Sequence, residues 1–131
     1  MTIKTINYQF HHIGIPTEIP QPGERYSSTF KMYTSGGENS EYRVQYHRFE
    51  PDCPLHPLIK TKTHVAFKVD SIAAAIAGKE VILEPYEPFP GFKVAMIAEY
   101  GTPIELIETT LSEEDIWYAD HKNSVIYPEI E

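Results

Sequence analysis

Cysteine is nearly absent: the chain of 131 residues has one, Cys53, so no disulfide can form within it and a reducing compartment is expected. Positive charge is scarce as well. Against 19 Asp and Glu stand 11 Lys and Arg, a formal net charge of -8, and no basic cluster offsets the deficit. Nucleic-acid binding draws most of its affinity from cations set against phosphates, so such a partner is not expected. No apolar run approaches the roughly 20 residues that span a bilayer. Residues 1–5 also lack the apolar core of a signal peptide. These absences predict a cytoplasmic protein with neither membrane nor nucleic-acid partners.

Hydrophobic residues make up 41% and charged residues 23%, the balance of an ordinary globular protein. Halves of about 60 residues bury too little surface to stand alone, so the chain is expected to share one core. A single domain over 1–131 is predicted, with halves at about 5–52 and 61–110 and a tail at 111–131.

The stretch 63–72 organises the rest. Alternating apolar residues make a strand over 62–69 that carries His64 and runs into Ala-rich helical sequence. Ser71 is the predicted N-cap of a helix over 72–77, and Gly78 stops it. Strands follow at about 80–84, 92–99 and 103–109, with a Pro-rich turn at 85–91. Upstream, Phe10-His11-His12-Ile13-Gly14-Ile15 repeats the pattern around His64, which makes His12 its counterpart. Strict alternation over 6–15 puts Tyr8, Phe10, His12 and Gly14 on one face and His11 on the other, as a packed or partly exposed side chain. Pro16, Pro20 and Pro22 forbid a full helix over 16–23. Tyr26, Phe30 and Tyr33 allow a short helix or a strand over 25–34, with the strand, ending at Ser35-Gly36-Gly37, preferred; a clearer strand covers 42–49, with Gln45, His47 and Phe49 on one face. The loop containing Pro51, Pro54 and Pro57 joins the halves. Cys53-Pro54-Leu55-His56 has ligand-like spacing, but no second pair completes a zinc site. Ser112 opens a last short helix leading to Trp117, and the tail carries Val125, Ile126 and Tyr127.

The second half's Glu105-Leu106-Ile107-Glu108 corresponds to His47-Arg48-Phe49-Glu50 in the first. His12, His47, His64 and Glu105 are therefore the predicted ligands of one divalent metal at the centre between the halves. Three imidazoles and a carboxylate suit zinc, nickel, cobalt, manganese or iron(II). Gln45 shares a strand face with His47 and is the alternative fourth ligand.

The pieces His12-Ile13-Gly14-Ile15, the segment 46–51, the segment 64–72 and Ile104-Glu105-Leu106-Ile107-Glu108 resemble, in order and spacing, the vicinal oxygen chelate superfamily. That superfamily includes glyoxalase I, methylmalonyl-CoA epimerase, bleomycin-binding proteins and extradiol dioxygenases. The resemblance implies an α+β fold of paired βαβββ modules cupping the metal, usually in a homodimer. It departs from the pattern twice: the first crossover helix is short or absent, and His47 stands where glyoxalase I and the epimerase typically offer a glutamate.

A metal with two open positions can bind two adjacent oxygens of a small-molecule substrate and stabilise an enolate while a carboxylate moves the proton. The predicted activity is thus that of a lyase or isomerase, and the resemblance to glyoxalase I implies that Glu105 is base as well as ligand. Without His47 the set becomes two histidines and a carboxylate, which suits iron(II) and dioxygen chemistry. A non-catalytic drug-binding protein with an aromatic-lined groove is the third reading.

Overall fold

The computed structural model describes residues 6–118; Val125, Ile126 and Tyr127 lie outside the described residues. It is a mixed α+β structure made mostly of strands. These are β1 (Gln9–Pro16), β2 (Arg25–Ser27), β3 (Met32–Gly36), β4 (Val44–Phe49), β5 (His64–Lys68), β6 (Glu80–Phe89), β7 (Phe92–Glu99) and β8 (Thr102–Thr109). Three helices of one turn or so complete it: α1 (Pro57–Thr61), α2 (Ile72–Ile76) and α3 (Glu113–Trp117). No described helix is long and apolar enough to cross a membrane.

The eight described strands form one sheet in the order β2-β3-β4-β1-β5-β8-β7-β6. β1 runs parallel to β4, β5 runs parallel to β8, and β1 and β5 meet antiparallel in the middle. Met32 on β3 and Leu83 on β6, from near opposite ends of that order, line the same cavity, so the sheet curls around it.

Two apolar clusters pack on the sheet. Ala66, Phe89, Phe92, Val94, Ile107 and Ile116 form one, with Leu111 and Trp117 against it. Val69, Ile72, Ala75, Ala95, Ile97 and Leu106 form the other. The second cluster explains α2: its i, i+3 pair Ile72 and Ala75 is buried while the helix's other side faces out. The Ser71 hydroxyl accepts from Ala74 N at 3.2 Å and Glu108 Oε1 accepts from Ile72 N at 2.8 Å, which satisfies two of the helix's orphan donors. Burying Ile72 contributes about 2–3 kcal/mol, and removing the Ser71 cap costs about 1 kcal/mol.

The structure departs from sequence expectation in four places. Between Phe10 and His12 the pairing of β1 with β5 shifts register, so His11 is an extra, bulged residue. His11 and His12 are consequently both buried, not on opposite faces, while Tyr8 and Phe10 are about half exposed. Residues 25–36 form a hairpin, β2 with β3, turning at Lys31, whose φ of 54° is left-handed. α1 forms inside the expected loop because Pro57 is tolerated in a first turn and the His56 imidazole caps it, accepting from Leu58 N at 3.1 Å. β6 continues through Pro85 and Pro88 to Phe89; as an edge strand with three register shifts it accommodates residues that cannot donate to a ladder. As expected, no helix lies between β1 and β2.

Candidate metal centre

The centre is written into the strand register. His12 pairs with Ala66 and Ala66 with Glu105, so one row crosses β1, β5 and β8 with its three side chains on one face. His64, two residues before Ala66, shares that face. Its partner in the register is Gly14. The imidazole of His64 folds over Gly14, where a side chain would otherwise stand.

Ligand atoms of His12, His64 and Glu105 all lie within 4.8 Å of one another. Glu105 Oε2 is 3.5 Å from His12 Nε2 and its Oε1 is 3.2 Å from His64 Nε2. The structure thus brings together three of the four predicted ligands. His47 lies outside this trio but lines the same cavity, its ring stacked on that of His64 with centroids 5.4 Å apart. Gln45, on the same face of β4, is also buried and lines the cavity. Glu99 and Tyr100 are exposed at the β7–β8 turn and contribute nothing to it. Cys53 is a buried free thiol, and His56 is occupied as a helix cap.

Electrostatics favour donors ready for a cation. Burial, reinforced by His64, pushes the His47 imidazole down to about 3, so it is neutral at physiological pH. Its Nδ1 is 3.1 Å from the Thr34 hydroxyl, directly across the β3–β4 pair. The buried Nε2 has no hydrogen-bond partner. Burial opposes ionisation of Glu105, but the neighbouring His12 and His64 outweigh it and hold the carboxyl well below the usual range. A carboxylate beside buried imidazole nitrogens is a donor set that fits a divalent ion.

His11, which alternation placed on the far face, belongs to this environment. Its Nδ1 is 2.8 Å from His12 Nδ1, so one ring donates to the other. When His12 is the donor, its Nε2 is left with a lone pair directed toward Glu105 and His64, the tautomer a metal ligand needs. Burial first and His12 second push His11 down to about 4, consistent with a neutral acceptor. Its other nitrogen lies 3.3 Å from Glu113 Oε2, and its ring stacks on Trp117 at 5.5 Å, so α3 closes over this side. The doublet His11-His12 is the sequence signal for this support, but only the bulge turns both rings inward.

The rest of the cavity is apolar, with walls from β3, β4, β6 and β7 that include Met32, Phe49, Leu83, Tyr86, Val94 and Met96. Among the described residues lining it, Glu105 is the one carboxylate, and none is Lys or Arg. No protein-family model matches this sequence, and no curated protein matches it.

Proposed function

We propose that this chain is a divalent-metal-dependent lyase or isomerase that acts on a small molecule presenting two adjacent oxygens. The observation that carries the reading is the convergence of His12, His64 and Glu105, from three adjacent strands, within 4.8 Å. His47 is the proposed fourth ligand, supported by its neutral ring and its buried Nε2 without a hydrogen-bond partner.

The fold is proposed to be the paired βαβββ arrangement of the vicinal oxygen chelate superfamily, as one domain. Parallel pairs β4–β1 and β8–β5 flank the antiparallel β1–β5 seam, as two such modules side by side would require. Glu108 caps the crossover helix of the second half. Its counterpart Glu50 has no helix to cap and receives the Tyr26 hydroxyl instead, which supports a first half that has lost its helix. A homodimer is part of the proposal, supported by the exposed aromatic pair Tyr8 and Phe10 on the central strand β1 and just before it.

A divalent ion bound there supplies an electrophile that withdraws charge from adjacent substrate oxygens. The chain's own residues supply the rest. His11 and Thr34 fix the rings of His12 and His47 through their Nδ1 atoms. The apolar wall lowers the local polarity, which strengthens the charge interactions beside it. Glu105 is the proposed proton acceptor because, among the described residues, no second carboxylate lines the cavity. Its depressed pKa makes it a weak base while it faces both histidines, so it accepts a proton only after one oxygen turns from them to the substrate.

A second reading follows from the trio without His47. Two histidines and one carboxylate suit iron(II), and an iron(II) dioxygenase is then the activity. Elemental analysis of protein purified without chelator tests the first claim, with one ion per chain expected and sharp losses of occupancy in His12→Ala, His64→Ala and Glu105→Ala. Oxygen consumption by the iron(II)-loaded protein separates dioxygenase from isomerase. Failure to bind zinc, nickel, cobalt, manganese and iron(II) alike would leave a non-catalytic small-molecule binder.

A further inference from the structure

We infer that the substrate of this centre is a small oxygen chelator with a short aliphatic body of a few carbons and no charged group besides its chelating oxygens. The inference rests on the metal-centre reading above and names the class of molecule that site takes.

Charge is the first observation. None of the described residues lining the cavity is Lys or Arg. Arg25 does not line it, and Arg43 and Arg48 are committed elsewhere. Arg43 Nη1 donates to the carbonyls of Gly37 and Glu38 at 2.9 and 3.1 Å and its guanidinium lies over the Trp117 ring. Arg48 is held by both oxygens of Glu24 at 2.8 and 2.7 Å and stacks on Tyr33. With Glu105 as the one carboxylate, a divalent ion leaves a single net positive charge, which one deprotonated chelating oxygen neutralises. A phosphate, a nucleotide handle or a peptide carboxylate would enter with its hydration stripped and no counter-charge, at a cost that burial does not repay.

Size is the second. The cavity measures about 60 Å³, whereas an apolar cavity of about 150 Å³ is what accommodates benzene. Part of that space belongs to the ion and the chelating oxygens. What remains lies against Met32, Leu83, Val94 and Met96, whose aliphatic walls suit a branched chain of a few carbons better than a ring.

Hydroxamates that share one chelating head and differ only in the tail isolate these features. Zinc uptake by the full chain is measured first with the metal alone, and the loaded protein is then titrated calorimetrically with each compound. Isobutyrohydroxamate should bind about ten-fold tighter than acetohydroxamate, as two buried carbons imply. Phosphoglycolohydroxamate should bind at least about ten-fold weaker than acetohydroxamate. Benzohydroxamate should gain nothing over isobutyrohydroxamate. No zinc uptake overturns the metal-centre reading and this inference together. Uptake followed by tighter binding of the phosphate-tailed compound overturns the charge rule alone, and tighter binding of the phenyl compound overturns the size limit alone.

Discussion

A methyl group on Gly14 would lie 2.1 Å from Cε1 and 2.5 Å from Nε2 of His64. No atoms tolerate that approach, so His64 reaches the centre because its cross-strand partner has no side chain. Gly14 has no left-handed φ, and alanine is acceptable to its backbone. Gly14→Ala therefore acts sterically: it should lower zinc affinity at least about ten-fold and cost about 1–3 kcal/mol of stability. In a His64→Ala background the stability cost should largely vanish. Metal titration and thermal unfolding of the single and double variants check this; unchanged affinity in Gly14→Ala would show that His64 does not ligate from this position.

His47 is tested against its neighbour on the same strand. His47→Ala should weaken metal binding about 10–100-fold, and Thr34→Val, which removes the group that orients Nδ1, should weaken it less. Gln45→Ala should leave affinity nearly unchanged. If Gln45→Ala abolishes occupancy while His47→Ala does not, the fourth ligand is Gln45.

For His11 the informative substitution is phenylalanine, which retains a ring to stack on Trp117 but removes the Nδ1 partner of His12. His11→Phe is expected to fold normally and to bind zinc about ten-fold more weakly, with His11→Asn partly restoring affinity by returning a polar partner. Equal affinity in wild type and His11→Phe would mean that the His11–His12 bond has no part in preparing the ligand.

The Glu24–Arg48 pair gives a pH signature away from the centre. The hydrogen bonds from Arg48 hold the Glu24 carboxyl below its usual range. A depressed carboxylate stabilises the fold above its unfolded pKa, about 4.3, and loses that contribution as pH falls through the folded value. Glu24→Gln should thus be less stable than wild type by about 1 kcal/mol at pH 7. The two proteins should converge toward pH 2. A difference that stays constant over this range in urea unfolding would refute the linkage.

Sedimentation at micromolar concentration should give a species of twice the 15.0 kDa chain. Phe10→Asp should return it to a monomer while metal binding persists, because Phe10 faces away from the cavity. A wild-type monomer would remove the dimer from the proposal.

Much of this arrangement was legible from residue patterns. The alternation around His64 and the Ser71, Gly78 and Ser112 signals located β5, α2 and α3, because periodicity and caps are local properties. The pairing of His12 with His64 and Glu105 was legible from the internal repeat. Three features were not. The bulge at His11 depends on pairing with β5, which no local pattern encodes, and it brought a buried support residue to the centre that strict alternation had turned away. The strand character of Pro85 and Pro88 depends on β6 lying at the sheet edge. The apolar and uncharged character of the cavity arises from residues far apart in the chain, such as Met32 and Met96, that meet only when the sheet curls.

Ala66 lies between His12 and Glu105 in the register and has no exposed surface. It is the spacer that keeps the floor between the two donors flat, and a branched side chain there would rise between them. In a saturation library selected for metal retention, position 66 should accept glycine and serine and reject valine, leucine and larger residues. Val65, one step along the strand and facing the other way, should drift freely among aliphatic residues. Counting which substitutions survive at two adjacent codons would therefore reveal which face of β5 carries the proposed ligands, with no structure determined at all.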